Sequence, residues 1–186
     1  MTNDDDLAQL RRDVRYLMDR TAILDCIANN ARGCDRHDVE LLTSSYHADG
    51  WDVHGNAVRS GPDYADFMNP IHDGAGQAHT HNITTHACEI DGDTAHAESY
   101  VLVFLLDHEG ATTTTLGGRY LDRLERRDGA WRIAVRRCTV EWVLTGDASL
   151  LAAEGFKKQE YSRGSQNTSD LAYQRPLEVD TPSEIW

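Results

Sequence analysis

Four long extended segments follow one another late in the chain: 80–90, 94–107, 111–126 and 130–143. The links between them are "DGD", "HEG" and "RDG". Nothing else in the sequence leaves the architecture so little freedom. Links this short join antiparallel neighbours, because a parallel return needs a crossover of about a dozen residues. Gly beside Asp or Glu suits tight turns that need positive φ. The four segments are therefore expected to form one antiparallel meander.

Helical spacing dominates before residue 50. Leu7, Leu10, Val14 and Leu17 predict an amphipathic helix over about 5–19. Thr21 can cap a second helix. Its apolar face reads Ile23, Cys26, Ile27, Asn30, Ala31 and Cys34, and Asp35 follows where that helix ends. A third helix, about 38–47, is expected to bury Val39, Leu42 and Tyr46. "WDVHGNAVRS" reads as a short hairpin, and Pro62 opens a short helix. Helices followed by a meander predict an α+β fold with the sheet wrapped over the helices.

The 186 residues are enough for one domain with a real core. Net charge is −13, from 31 acidic and 18 basic residues, which argues against nucleic acid or an anionic membrane as partner. The longest apolar run, "YVLVFLL", is too short to span a bilayer and suits a buried strand. The N-terminus, "MTNDDDLAQ", is acidic where a signal peptide would be basic and then apolar. Cys26, Cys34, Cys88 and Cys138 form no CxxC pair and read as buried thiols in a reducing cytoplasm.

"QAHTHNITTH" holds three histidines. Strand alternation puts His79 and His81 on one face and His86 on the other. A histidine pair at this spacing suits a metal, but the strands that follow supply no further ligands, and no metal is expected. His79 and His86 read as exposed polar strand residues. His81 becomes a general base if a buried carboxylate holds one ring nitrogen and leaves the other free. Asp35 is the candidate carboxylate; alternatively Asp35 or Asp38 caps the third helix. Asp52 and His54 share a face of the hairpin and can line the same cavity.

Three strings now become informative together: "AILDCIANNARGCDRHDVELLTSSYHADG", "HTHNITTHACEIDGDTAHAESYV" and "GGRYLDRLERRDGAWRIAVRRCTVEW". They span roughly residues 20–142 and resemble the SnoaL-like branch of the nuclear transport factor 2 superfamily. The resemblance implies a cone-shaped α+β barrel, of cystatin-like type, over residues 1–144. It implies that Asp35 and His81 form the catalytic dyad of the branch's lyase members, which include dehydratases and a dehydrochlorinase. There are departures. Thr85 stands where the family strand motif has Asn, position 30 is Asn30, and position 54 is His54. Arg136 aligns with a cavity-facing arginine and can pair with Asp35. Arg136, Cys138, Val140 and Trp142 would then face inward together.

The expected chemistry is that of a lyase or isomerase using no metal and no cofactor. Neutral His81 removes a proton from carbon beside an activating group, while Asp35 fixes its tautomer. Asn30, His54, Tyr120 and Arg136 are candidates to stabilise developing charge. Asp52, Val101, Val103, Leu116, Val140 and Trp142 are candidate walls for a small, largely apolar cyclic ligand such as a steroid, terpenoid or aromatic metabolite. Rival readings are a non-catalytic binding module and an accessory subunit of a larger oxygenase. Trp131, Ile133 and Val135, or the even-numbered set, would form an outer sheet face that marks a protein contact, and the family resemblance implies a homo-oligomer, a trimer before a dimer. Residues 145–186 carry enough aromatic and aliphatic side chains to be ordered across the cavity mouth or a neighbouring subunit.

Overall fold

The computed structural model describes residues 3–186, with side chains from residue 4 onward. It opens with one helix, α1 (Asn3–Asp35), where the spacing had predicted two. Thr21 does not cap a second helix. Its hydroxyl donates back to the Leu17 carbonyl at 2.9 Å, which lets the helix continue. The half of α1 from Ile23 to Cys34 buries the predicted face. The earlier residues Leu7, Leu10, Val14 and Leu17 are exposed.

A short helix α2 (Val39–Ser44) follows. Asp38 caps it, accepting from the Leu41 N–H at 2.9 Å. The choice between Asp35 and Asp38 as the cap thus falls on Asp38. α2 is shorter than expected and buries Leu42 alone, while Val39 is exposed. Tyr46 is buried, but as the first residue of β1 (Tyr46–His54). β2 (Ala57–Ser60) completes the hairpin. α3 (Tyr64–Ala75) comes next, then β3 (Ala78–Asp91), β4 (Thr94–Leu106), β5 (Thr112–Arg127) and β6 (Ala130–Asp147).

The six strands form one sheet in the order β2-β1-β6-β5-β4-β3. β3 to β6 are the antiparallel meander; β1 joins it by pairing parallel with β6. β1 and β3 thus have three strands between them in the sheet, and its curl brings both onto the same interior. Ile23, Ile27, Leu42, Leu124 and Ile133 are completely buried between α1 and the sheet. Each such side chain stabilises the fold by roughly 1.5–3 kcal/mol.

Two irregularities in β6 overturn the expected strand faces. The register shifts opposite Arg123/Leu124, leaving Ala134 as an extra residue, and again opposite Gly117/Gly118, leaving Glu141. Each extra residue exchanges the two faces downstream of it. Trp131 and Ile133 are therefore buried in the core rather than on an outer face. Arg136, Cys138 and Val140 then share the inner face, opposite Asp122, Tyr120 and Gly118. Past the second irregularity Trp142 pairs with Gly117, on the other face. A Cβ on Gly117 would lie 2.1 Å from the Trp142 ring, so this close stacking requires glycine.

β6 runs to Asp147, past the barrel boundary expected at 144. Single-turn helices (Ser149–Ala152 and Leu171–Tyr173) and α4 (Glu154–Lys157) punctuate the remaining chain. It folds back onto the C-terminal end of α1. Tyr173 Oη donates to Asp38 Oδ2 at 2.7 Å, Arg36 lies 3.4 Å from Asp170, and the Arg32 guanidinium sits 4.7 Å above the Tyr173 ring. No helix among the described residues is long and apolar enough to cross a membrane.

Candidate active site

α1 ends at Asp35 beside β3. The Asp35 carboxylate accepts from the His81 backbone N–H at 2.9 and 3.0 Å. Asp35 Oδ1 also lies 2.7 Å from His81 Nδ1. A carboxylate accepts only, so Nδ1 carries the proton. Nε2 then holds the lone pair, and it has no hydrogen-bond partner among the described residues. The side chains of His81 and Asp35 are 6% and 13% exposed, so the pair is shielded but reachable.

His81 lines an interior cavity of about 170 Å³. Of the expected walls, Val101, Val103, Leu116, Tyr120, Val140 and His54 line it. Trp142 does not, for the register reason above. Asn30 and Arg136 do not either. Arg136 is 1% exposed and pairs with Asp122 rather than Asp35, through two bonds of 2.7 and 2.8 Å. A further Arg136 N–H donates to Asn30 Oδ1 at 2.5 Å, and the guanidinium stacks 4.0 Å from the Tyr120 ring. Burial disfavours the Arg136 charge, but Asp122 more than offsets this and holds its pKa well above the ordinary value. These residues form a buried support beneath Tyr120.

Asp52 is also behind the wall. It accepts from Tyr46 Oη at 2.6 Å, and its Oδ1, buried without a hydrogen-bond partner, lies 3.7 Å from His54 Nδ1. Tyr64 Oη is 3.0 Å from the same nitrogen. The Tyr64 hydroxyl is buried and has no other acceptor among the described residues, so it donates to His54 Nδ1. The neutral His54 proton then sits on Nε2. The cavity thus holds a histidine with a free lone pair, His81, and one offering an N–H, His54.

Two further histidines escaped the sequence reading. His72 lines the cavity from α3, and His37 precedes α2. The rings of His72 and His79 are 4.1 Å apart, and His72 is 5.4 Å from His81. A signal for His72 was present: Tyr64, Met68 and His72 recur every four residues on the buried side of α3. His79, expected on the surface, is 3% exposed, with Nε2 3.0 Å from the Cys34 carbonyl and Nδ1 against Gln166 of the C-terminal segment. His86 meets Ser99 Oγ at 2.9 Å. Nitrogens of His37, His72 and His79 lie within 4.8 Å of one another and could approach one ion. Their rings stack, at 19° and 29° between His37 and its two neighbours, instead of radiating from a point. Metal analysis of the purified protein is expected to give well under one equivalent of zinc, iron or manganese; a full equivalent would contradict this reading.

Burial, reinforced by the imidazoles of His79 and His81, pushes the His72 pKa down from 6.5 to about 2. Burial also lowers that of His79. Below pH 6.5 the unfolded chain takes up protons that the folded chain refuses, so stability is complete above that pH and falls as pH falls toward the folded value. Between pH 6.5 and about 4.5, His72 alone is expected to cost about 2 kcal/mol. Urea unfolding at the two pH values measures this, and His72→Phe should flatten the slope. Cys34 and Cys26 are pushed up to about 12 and about 11 by burial, so neither is a ready nucleophile.

A helix-closed, curled sheet with a histidine–carboxylate pair at its interior defines a class of α+β barrel. The chain belongs to the SnoaL-like domain family, whose model matches residues 15–137. Among solved structures, a hexachlorocyclohexane dehydrochlorinase (LinA type 3) from Novosphingobium barchaimii matches at 24% identity and TM-score 0.66, over 72% of this chain and 94% of its own. A candidate scytalone dehydratase from Novosphingobium aromaticivorans matches at 19% and 0.62, over 69% and 88%. A protein of unknown function from Mycobacterium tuberculosis matches at 26% and 0.61, over 68% and 74%. These are likenesses of fold. No curated protein matches the chain.

Proposed function

We propose that this protein is a lyase or isomerase acting on a small, largely apolar cyclic molecule, with His81 as base and Asp35 as its partner. One observation carries the reading: Asp35 engages both Nδ1 and the backbone N–H of His81, and so leaves Nε2 unpartnered at a cavity wall. Nε2 takes a proton from carbon next to a carbonyl. The C–H electron pair becomes the new double bond, and Asp35 stabilises the imidazolium. In dehydration the C–O bond breaks with its electrons on oxygen; His54 Nε2–H hydrogen-bonds that oxygen, and the proton held on His81 Nε2 passes to it, so that water leaves and both histidines return to their neutral forms. In isomerisation the proton returns to a different carbon. No step is routed through an ion or cofactor. The fold relatives described as a dehydrochlorinase and a candidate scytalone dehydratase support the class of reaction.

Cavity size bears on the substrate. An apolar cavity of about 150 Å³ holds benzene. At about 170 Å³ this one fits a single ring, so a monocyclic ligand suits it better than a steroid.

The test uses 3-hydroxycyclohexanone for dehydration and 3-cyclohexenone for isomerisation, both read by the absorbance of the conjugated enone, together with deuterium uptake from D₂O at the α carbon. Turnover or α-exchange that His81→Gln abolishes supports the reading. Ligand-induced thermal stabilisation with neither reaction would assign a binding module instead.

Residues 1–144 are proposed as the catalytic barrel and 145–186 as its cover. Leu171, Ala172 and Arg175 line a second cleft together with Asp35 and His81, and His81 is shared with the inner cavity. Excluding water there strengthens the pair's electrostatics. The cut must fall after Ala148, because the Ala148 N–H still bonds the Ala111 carbonyl at 2.8 Å. Truncation at that point is expected to leave the circular dichroism of the sheet intact and to lower α-exchange at least about tenfold. Unchanged exchange would remove the segment from the site. The working form is proposed to be a homo-oligomer.

A further inference from the structure

The first half of α1 carries an apolar stripe that is left exposed in the single chain. Leu7, Leu10, Val14 and Leu17 are 45%, 58%, 46% and 59% exposed, and Leu24 continues the line at 38%. With Thr21 the positions are 7, 10, 14, 17, 21 and 24. Steps of three and four alternate without a break, which is the seam of a coiled coil. At 100° per residue, this stripe lies roughly 140° around the helix from the Ile23, Ile27 and Asn30 face that meets the sheet. The globular body therefore does not obstruct it.

Flanking charges say what fits there. In a parallel pair, the residue before each first seam position meets the residue five further along on the other helix. That sets Asp6 against Arg11 of a second copy and Arg20 against Asp25, each twice by symmetry. Among the described residues, Asp6, Arg11, Arg20 and Asp25 have no hydrogen bond or ion pair within their own chain, whereas Arg126, Arg127 and Arg136 all do. Val14 and Thr21 are β-branched and alternate with Leu10, Leu17 and Leu24, a pattern that favours two strands over three.

We propose that this stripe binds a second copy of the chain as a parallel, two-stranded coiled coil. It selects a dimer where the family resemblance had suggested a trimer. Isolated helices this short are marginal, but this one grows out of a folded body that has already nucleated it. The proposal stands independently of the chemistry at His81.

Sedimentation equilibrium of the full chain at micromolar concentration should give a dimer. Leu10→Asp combined with Leu17→Asp should weaken association at least 100-fold and leave the near-UV circular dichroism unchanged, since neither side chain packs on the body. Leu10→Cys should form an intermolecular disulfide under mild oxidation, beyond any background from the native cysteines, because parallel seam positions face their own copies. A monomeric or trimeric wild type, a dimer indifferent to the aspartates, or no Leu10→Cys cross-link would each overturn the proposal.

Discussion

His81→Gln is expected to lower kcat/KM for any substrate of this site by about 10²–10⁴-fold, the usual contribution of a general base. The loss should fall on kcat, because the ring walls that hold the ligand are untouched. Asp35→Asn should lower the rate by a similar order for a different reason. Asparagine can still accept one hydrogen bond but brings no charge to stabilise the imidazolium. Asp35→Ala would confuse matters: it leaves the His81 backbone N–H without its acceptor, at about 1–3 kcal/mol of stability. Melting curves beside the kinetics separate the two effects. His54→Gln adds a finer discrimination. A departing hydroxyl depends on the hydrogen bond from His54, whereas chloride needs none. The variant should therefore slow elimination from 3-hydroxycyclohexanone far more than from 3-chlorocyclohexanone. Equal loss on both would make His54 a packing residue only.

The largest expected effect on folding comes from Asp122→Ala. Asp122 and Arg136 are 3% and 1% exposed and joined by two hydrogen bonds. Removing one member of such a pair leaves a buried charge uncompensated, at about 3–5 kcal/mol. For a chain of this length that corresponds to a melting temperature lower by roughly 10 °C. Urea unfolding gives the number directly. Replacing both residues with apolar ones, Asp122→Leu with Arg136→Met, should restore most of the loss, because the pair's attraction mainly offsets its own desolvation. A cost below about 1 kcal/mol for Asp122→Ala would mean that water reaches the guanidinium. Arg136 would then return as a candidate for contact with ligand.

Much of the fold was legible because it depends on local chemistry. Turn sequences with glycine and acidic residues set where each strand of the meander ends, and alternation set where each continues. The apolar periodicity from Ile23 to Cys34 placed Asp35 at the end of a buried helix face. The resemblance then named His81 as its partner, and the two meet at 2.7 Å. That α1 is a single helix was less legible, since Thr21 caps or continues a helix equally well on local grounds. Only the tertiary structure decided which residues of β6 face inward. Period-two alternation is a relative statement, and one extra residue inverts it. Ala134 and Glu141 are extra only with respect to β5, so the inversions that bury Trp131 and turn Trp142 away from the cavity belong to cross-strand register. The same holds for Arg136, whose partner across the sheet is Asp122 rather than Asp35. It holds for the meeting of His37, His72, His79 and His81 as well. They come from the α1–α2 junction, α3 and β3, and no local pattern encodes their approach.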